Sequence, residues 1–557
     1  MTAPLSLDAL RNDIVGRDAA FATPYGLRHL FYADYTASGR ALGMVEKKIA
    51  ASLRSYANTH TEDDHTGSYM TRLLHDAEAR IKRMVNAGPD GKIVPVGAGT
   101  TGALQRLQEM MGIYIPPVTR ERIYQTVERL NCDTCTILKK IEDATPVVFV
   151  GPYEHHTNEL MWREAFAKTV VIGLDPHGMI DLADLERKLA DPCWAGRIKI
   201  ASFSAGSNIT GVRTKVYEIA QLCHRYDTYI FFDFAAVAPY VEIDMNRDAD
   251  SYFDAIVFSP HKFLGGPGSS GILVFNKRIY RDDLPPTAAG GGTVDYVGYE
   301  YHDFTKDIET RETAGTPPIL QTLRASLAME VKDRIGVDTI ERIEREHLHY
   351  FMEGLAAIPG AELLGDIPAD ERIAIISFNL RHRDRILHPR FVTRLMNDLF
   401  GIQSRAGCSC AGPYGHQLLN IDNETSLKYR DLIKQGVCGL KPGWVRVNLH
   451  YTFTREDIDF LLAAIRFTAG HGHEFLRDYR FDINTAEWHH RTERKKKVAC
   501  SLDAPVSRKK IDLKKLGELR AGYLAAAQAE ADRLTALPAT AYHTDSAELE
   551  ALKYFYY

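Results

Sequence analysis

Between about residues 90 and 280 the chain alternates short, continuously apolar runs with amphipathic stretches. The runs are KIVPV, TPVVFV, KTVVIGL, RIKIASFS, TYIFFDF, AIVFS and GILVFN; between them lie stretches such as DLADLERKLA and TKVYEIAQLCHRY. A strand that is apolar at every position has both faces covered, and strands separated by helices cross over to pair in parallel. The pattern therefore predicts an α/β domain whose mostly parallel sheet is flanked by helices. After the segment Gly315 to Ile319 a long helical pattern runs through LQTLRASLAMEVKDRIG, and then the rhythm changes. ERIAIISFNL reads as a strand, RFVTRLMNDLFGI as a helix, WVRVNLHY as a strand and EDIDFLLAAIRF as a helix, which predicts a smaller α+β domain. From about residue 481 the chain is more polar, carries the basic run Arg491 to Lys497, and regains a helical period from Leu513 to Leu534. The organisation expected is an N-terminal segment over 1–30, a large domain over 31–325, a small domain over 326–480 and a partly helical extension over 481–557. There are no internal repeats.

Composition narrows the function classes. At 557 residues the chain is too long for one core. Its 45% hydrophobic and 25% charged residues are those of a soluble globular protein. A net charge of −5 offers no basic field to nucleic acid. The opening MTAPLSLDALRNDIVGRD has early acids and no apolar core, and no stretch is long and apolar enough to span a bilayer. A cytoplasmic protein without a membrane partner is expected, its eight cysteines reduced.

Gly97, Gly99 and Gly102 form a literal GxGxxG between a strand and a helix. A dinucleotide site also needs an acidic residue at the end of a second strand about 20 residues on. The segment there is IYIPPVTRERI, so that reading fails. A strand-to-helix turn still suits a single phosphate, because helix N-terminal N–H groups attract any anion.

The succession SNITG, FFDFAAVAPYVEIDM and FSPHKFLGGPGSSGILVF, from Ser207 to Phe275, resembles class V aminotransferases, above all the cysteine desulfurase and selenocysteine lyase branch. The resemblance runs from Tyr32 to about Phe467. It implies the fold type I of pyridoxal 5′-phosphate (PLP) enzymes, with Lys262 of Ser-Pro-His-Lys holding the cofactor as a Schiff base. Ser259 and His261 then match phosphate-binding positions, as do Thr100 and Thr101 at the start of the helix after Gly-Ala-Gly. Asp233 ends an apolar strand, where a carboxylate is costly unless paired. The resemblance pairs it with the pyridine nitrogen, whose proton it keeps. His155 matches the ring-stacking histidine, and Asn208 matches the asparagine near the phenolic oxygen. Thr293 matches a residue that reaches a partner subunit's phosphate, implying a homodimer with shared active sites. In one departure, Ala236 stands where the desulfurase branch has a glutamine near the phenolic oxygen.

Arg446 in WVRVNLHY matches the family arginine that clamps the substrate carboxylate, a task suited to its planar fork. An α-amino acid substrate follows. The segment GIQSRAGCSCAG matches the loop of the nucleophilic cysteine: by register Cys410 is the nucleophile, Cys408 takes a position often held by histidine, and Arg405 lies near enough to favour a thiolate. This implies a desulfurase or carbon–sulfur lyase, with a protein as possible sulfur acceptor. An aminotransferase or racemase with a structural Cys410 is the other enzyme reading, and a silent binding protein that keeps the fold is a third; intact Lys262, Asp233, His155 and Arg446 argue against the last. Cys132 and Cys135 form a lone CxxC with no second pair at zinc spacing, so no metal site is expected.

Overall fold

The structure, a computed structural model, describes residues 4–129, 134–408, 410–493, 499–504, 509–537 and 546–556. Cys132, the Cys135 side chain and the stretch Arg494 to Lys497 of the basic run lie outside the described residues. The chain divides into two compact units. The first holds Met1–Ser6, Ser38–Ser207 and Val212–Thr339; the second holds Leu7–Ala37, Asn208–Gly211 and Ile340–Tyr557.

The first unit is built on a seven-stranded sheet: β1 (Gly91–Val96), β2 (Val147–Val150), β3 (Lys168–Val171), β4 (Lys199–Ser204), β5 (Thr228–Asp233), β6 (Ala255–Phe258) and β7 (Gly271–Asn276). Each corresponds to one of the seven apolar runs. The spatial order is β1-β7-β6-β5-β4-β2-β3. The pairs from β6 to β3 are parallel, and β7 runs antiparallel to both β6 and β1. Every residue of β2 and β6 is buried, as continuously apolar strands require. The helices α1 (His65–Met84), α2 (Gly99–Met110), α3 (His156–Arg163), α4 (Leu182–Leu189), α5 (Val216–Arg225) and α6 (Ile319–Ile335) complete this frame. One core cluster joins Leu104 and Leu107 of α2 and Trp162 of α3 to Val150, Phe231 and Leu273 on the strands. Because β4, β5 and β6 run in parallel, their carboxyl ends lie at one edge of the sheet, the usual place for a site in such folds. Register sets Ser204 beside Asp233 and Asp233 beside Val257 there.

In the second unit β8 (Ala361–Leu363), β9 (Ile375–His382), β10 (Arg385–Leu387), β11 (Arg405–Gly407), β12 (Trp444–Asn448) and β13 (Phe555–Tyr556) form one sheet, ordered β11-β12-β9-β10-β13 with β8 on β9. Helix α7 (Pro389–Phe400) starts with proline at its first turn and ends at Gly401, at φ +75°. A Cβ at Gly401 would stand 1.9 Å from the His29 carbonyl oxygen. Helix α8 (Arg455–His471) starts from a capping box of Thr454 and Asp457. The polar extension clusters with this unit: α9 (Leu516–Thr535) supplies the expected helix, Arg520 of α9 bonds Asp457 at 2.6 Å, and β13 pairs in parallel with β10. Residues 7–37 cluster here as well. Among the described residues, no helix is long and apolar enough to cross a membrane.

Candidate active site

In the first unit the site grows from the carboxyl ends of β4, β5 and β6. Asp233, the last residue of β5, is only 4% exposed, and its Oδ1 accepts the Ala235 N–H at 2.8 Å. Burial pushes this carboxyl up to about 6; the Ala235 N–H and the charge of Lys262 pull the other way. Lys262 closes the short 3₁₀ turn Pro260–Lys262 that follows β6. Two glycines shape that turn by lacking a side chain. A Cβ at Gly266 would stand 1.9 Å from the Pro260 oxygen, and one at Gly39 would stand 2.0 Å from the Phe263 oxygen. His261 receives the Gly39 N–H at 2.9 Å and the Ser38 hydroxyl at 3.2 Å on its carbonyl. Burial, then neighbouring Lys262, depress its imidazole to about 4, so it is neutral at pH 7.

Ser259 and Thr100 meet as the sequence match implies. The buried Ser259 Oγ accepts the Thr100 N–H at 2.8 Å and lies 2.7 Å from Thr100 Oγ1, at the N-terminus of α2. Gly99 precedes it at φ +58°, and a Cβ there would come within 3.0 Å of Ser259 Oγ. Thr101 is exposed, its hydroxyl 2.9 Å from that of Thr157 on α3. His155 caps α3, its Nδ1 accepting the Thr157 N–H at 3.1 Å. A neutral ring therefore carries its proton on Nε2. Thr293 is placed otherwise: it is fully buried, and its hydroxyl donates to the Gly290 carbonyl at 2.7 Å within its own turn.

Sequence reasoning missed Glu154, beside His155. This carboxylate is 3% exposed. Its Oε1 accepts the N–H groups of Gly151 at 3.1 Å and Ser204 at 2.9 Å. Its Oε2 accepts the Ser204 hydroxyl and Asn158 Nδ2, both at 2.6 Å. Burial pushes Glu154 up to about 7; Asp233 adds to that, and the hydrogen bonds oppose it. The signal was available: an acid next to an apolar strand end must find donors.

In the second unit the candidates gather around Arg446, which lies on the wholly buried β12 and is itself 4% exposed. Nη1 donates to the Asn208 carbonyl at 2.9 Å and Nη2 to Asp34 Oδ1 at 3.2 Å. Asp34 Oδ2 accepts Arg405 Nε at 3.0 Å, and Arg405 is the cross-strand partner of Arg446. Two guanidinium groups thus share one carboxylate, which leaves a surplus positive charge. The buried Arg446 Nε has no hydrogen-bond partner among the described residues. A buried donor beside an unbalanced cation suits an incoming carboxylate. Burial lowers the Arg446 pKa; Asp34, and more weakly Cys410, raise it. Cys410 is exposed and Cys408 half-buried. Asp34, in FYADYTAS, was also missed from sequence. Asn208 clusters with this unit, and the Ser377 hydroxyl fixes the carbonyl of its neighbour Ile209 at 2.7 Å.

The class-V aminotransferase family model matches residues 125–461, three-fifths of the chain. The chain belongs to the class-V aminotransferase family. Relatives within this family of PLP-dependent enzymes include a "Probable cysteine desulfurase" from Staphylococcus aureus, 28% identical over 447 residues, covering 79% of this chain and 92% of that one. Another of the same name, from Halalkalibacterium halodurans, is 25% identical over 452 residues, covering 80% and 95%. The fold is that of solved cysteine desulfurases. The apo enzyme of Thermococcus onnurineus superposes with a TM-score of 0.64 at 22% identity, covering 84% of this chain and 100% of that one. An S-sulfonic acid form from Escherichia coli gives 0.60 at 19% identity, covering 83% and 98%.

Proposed function

We infer that this class-V enzyme is a PLP-dependent cysteine desulfurase, or a closely related carbon–sulfur lyase. The residues present fit the cofactor. Asp233 is a buried carboxylate that accepts the Ala235 N–H on Oδ1, and the glycine-shaped turn of Lys262 and the Ser259–Thr100 cradle offer an amine and a phosphate seat. Lys262 would hold PLP covalently, Asp233 would face its pyridine nitrogen, and Ser259, His261, Thr100 and Thr101 would take its phosphate. When bound, the cofactor supplies an electron sink that weakens bonds to the substrate's α and β carbons.

This chain's own groups supply the rest. Arg446, held by Asp34 and the Asn208 carbonyl, would bind and orient the substrate carboxylate. His155, fixed through Nδ1, would lie against the ring and move a proton at Nε2, and Lys262 Nζ would serve the proton at the α carbon. The Cys410 thiolate would attack the substrate sulfur and keep it as a persulfide; the sulfur–sulfur bond forms as the carbon–sulfur bond breaks, and the electron pair of that bond stays on the β carbon, which takes up a proton to give alanine. The observation that carries this reading is that β11, paired with β12 at Arg405 and Arg446, leads within three residues to the exposed Cys410, in the same compact unit as the buried Arg446, whose Nε has no partner among the described residues.

Ala236, buried and without a polar group, favours one alternative: an aminotransferase or racemase in which Cys410 is structural. Assaying PLP-loaded protein on a panel of amino acids for sulfide, alanine, pyruvate and ammonia separates the two. Sulfide or persulfide with alanine supports desulfuration. Turnover without any sulfur product supports the alternative.

The setting we propose is cytoplasmic, with a small amino-acid substrate, a protein sulfur acceptor, no nucleic acid and no resident metal. We also propose a homodimer with shared active sites. Light scattering that finds an active, PLP-bound monomer would refute the dimer.

A further inference from the structure

Cys408 and Cys410 share one tight turn after β11, in which the Ala411 N–H donates to the Cys408 carbonyl at 3.2 Å. Neither forms a disulfide. Cα atoms two residues apart are at most about 7 Å from each other and closer in a turn, which falls within the span a disulfide bridges. The backbone at Cys410 is left-handed, at φ +59°, a conformation that costs a non-glycine residue about 1 kcal/mol and recurs at functional sites. Cys410 is exposed and lies in the field of Arg446, whereas Cys408 is half-buried in the same turn. One thiol is thus open to substrate and reductant, with a second tethered beside it.

We propose that Cys408 is a resolving thiol that discharges a Cys410 persulfide within the turn, so that the enzyme releases free sulfide. The proposal rests on the desulfurase reading for the origin of that persulfide. The Cys408 thiolate attacks the inner sulfur, Cys410 Sγ. A Cys408–Cys410 disulfide bond forms and the bond from Cys410 Sγ to the outer sulfur breaks. The outer sulfur leaves with the electron pair as hydrosulfide, the weaker base and so the better leaving group. The outer sulfur is reduced and the two cysteine sulfurs are oxidised. An external thiol reductant, two thiols becoming one disulfide, then restores both cysteines. A ring closed over so few residues is strained, and strained disulfides are the readily reduced ones.

The test uses PLP-loaded protein without added reductant, loaded with sulfur in two arms: by one equivalent of L-cysteine per chain, so that no excess thiol is left to act as reductant, and by inorganic polysulfide, which needs no turnover. Free sulfide is measured together with the mass of the peptide holding both cysteines. Wild type is expected to release one sulfide per chain in the L-cysteine arm, and in both arms to leave that peptide two hydrogens lighter; in the polysulfide arm the loading step itself expels sulfide, so the peptide mass is the readout. Cys408→Ser and Cys408→Ala are expected to lose the sulfide burst and retain one extra sulfur on Cys410. Wild type that keeps the extra sulfur as the variants do overturns the proposal. If L-cysteine loads no protein while polysulfide-loaded wild type still closes the disulfide, the desulfurase reading falls and the resolving role stands.

Discussion

Arg446 and Asp34 are joined at 3.2 Å inside the second unit, and Asp34 is shared with Arg405 at 3.0 Å on its other oxygen. Arg446→Lys keeps the charge and loses the planar fork. The Michaelis constant for an amino acid substrate is therefore expected to rise about tenfold or more, the worth of roughly 1.4 kcal/mol. Arg446→Ala also removes half of the cation pair from a buried carboxylate, and a drop of about 3 kcal/mol in stability is expected by denaturant titration. A lysine variant with unchanged Michaelis constant would refute the clamp.

Lys262 is the expected site of covalent attachment. Wild-type protein should be yellow with PLP, and borohydride should fix the cofactor on the peptide containing Lys262. Lys262→Ala should lose both the fixed label and turnover. Label on another lysine would refute the assignment.

Asp233 ties pH to stability in the cofactor-free protein. Its folded pKa of about 6 lies above the ordinary 3.8, so the folded state binds this proton more tightly than the unfolded chain does. That contribution is fully present below about 4 and is lost as the pH rises through 6. Removing the charge with Asp233→Asn should therefore stabilise the cofactor-free protein above pH 6, by on the order of 3 kcal/mol, with the gain fading toward pH 4. In PLP-loaded protein the same variant should lose most turnover, because an amide cannot hold the pyridinium proton. A gain that is equal at pH 4 and 7 would contradict the burial account. Glu154, raised from 4.5 to about 7, shifts in the same direction over a higher window, and Glu154→Gln should remove that window alone.

Cys410→Ser should abolish persulfide formation while the colour of bound PLP persists, since a hydroxyl is a far poorer nucleophile than a thiolate near neutral pH. Full turnover of the best substrate by the serine variant would make the cysteine structural and turn attention to Ala236.

The sheet of the first unit was legible because its strands are short and largely apolar runs set between amphipathic stretches, a signal that needs no knowledge of the neighbours. That Ser259 and Thr100 fall at one place was legible through motif order. Asp34 and Glu154 were not, because what makes a buried acid tolerable is a set of donors brought from elsewhere. Arg446 lies 412 residues from Asp34, and Ser204 lies 50 from Glu154. The clustering of residues 7–37 and 208–211 with the second unit was hidden for the same reason: it depends on which apolar surfaces meet. Thr293 was named from motif order alone, which does not reveal that its hydroxyl donates to the Gly290 carbonyl within its own turn.

Among the described residues, edge strand β1 has only β7 as its sheet partner, and Gly91 of β1 pairs with Asn276 of β7, 185 residues later. A ribosome adding roughly 5–20 residues per second keeps β1 waiting for about ten to forty seconds, its apolar Ile93 and Val94 uncovered meanwhile. The hydrogen bond between Thr100 and Ser259 cannot form earlier either, because the two residues lie 159 apart in the chain. Nascent chains halted before residue 271 should therefore engage holding chaperones, and those released beyond residue 339, which carry the whole first unit, should engage them less.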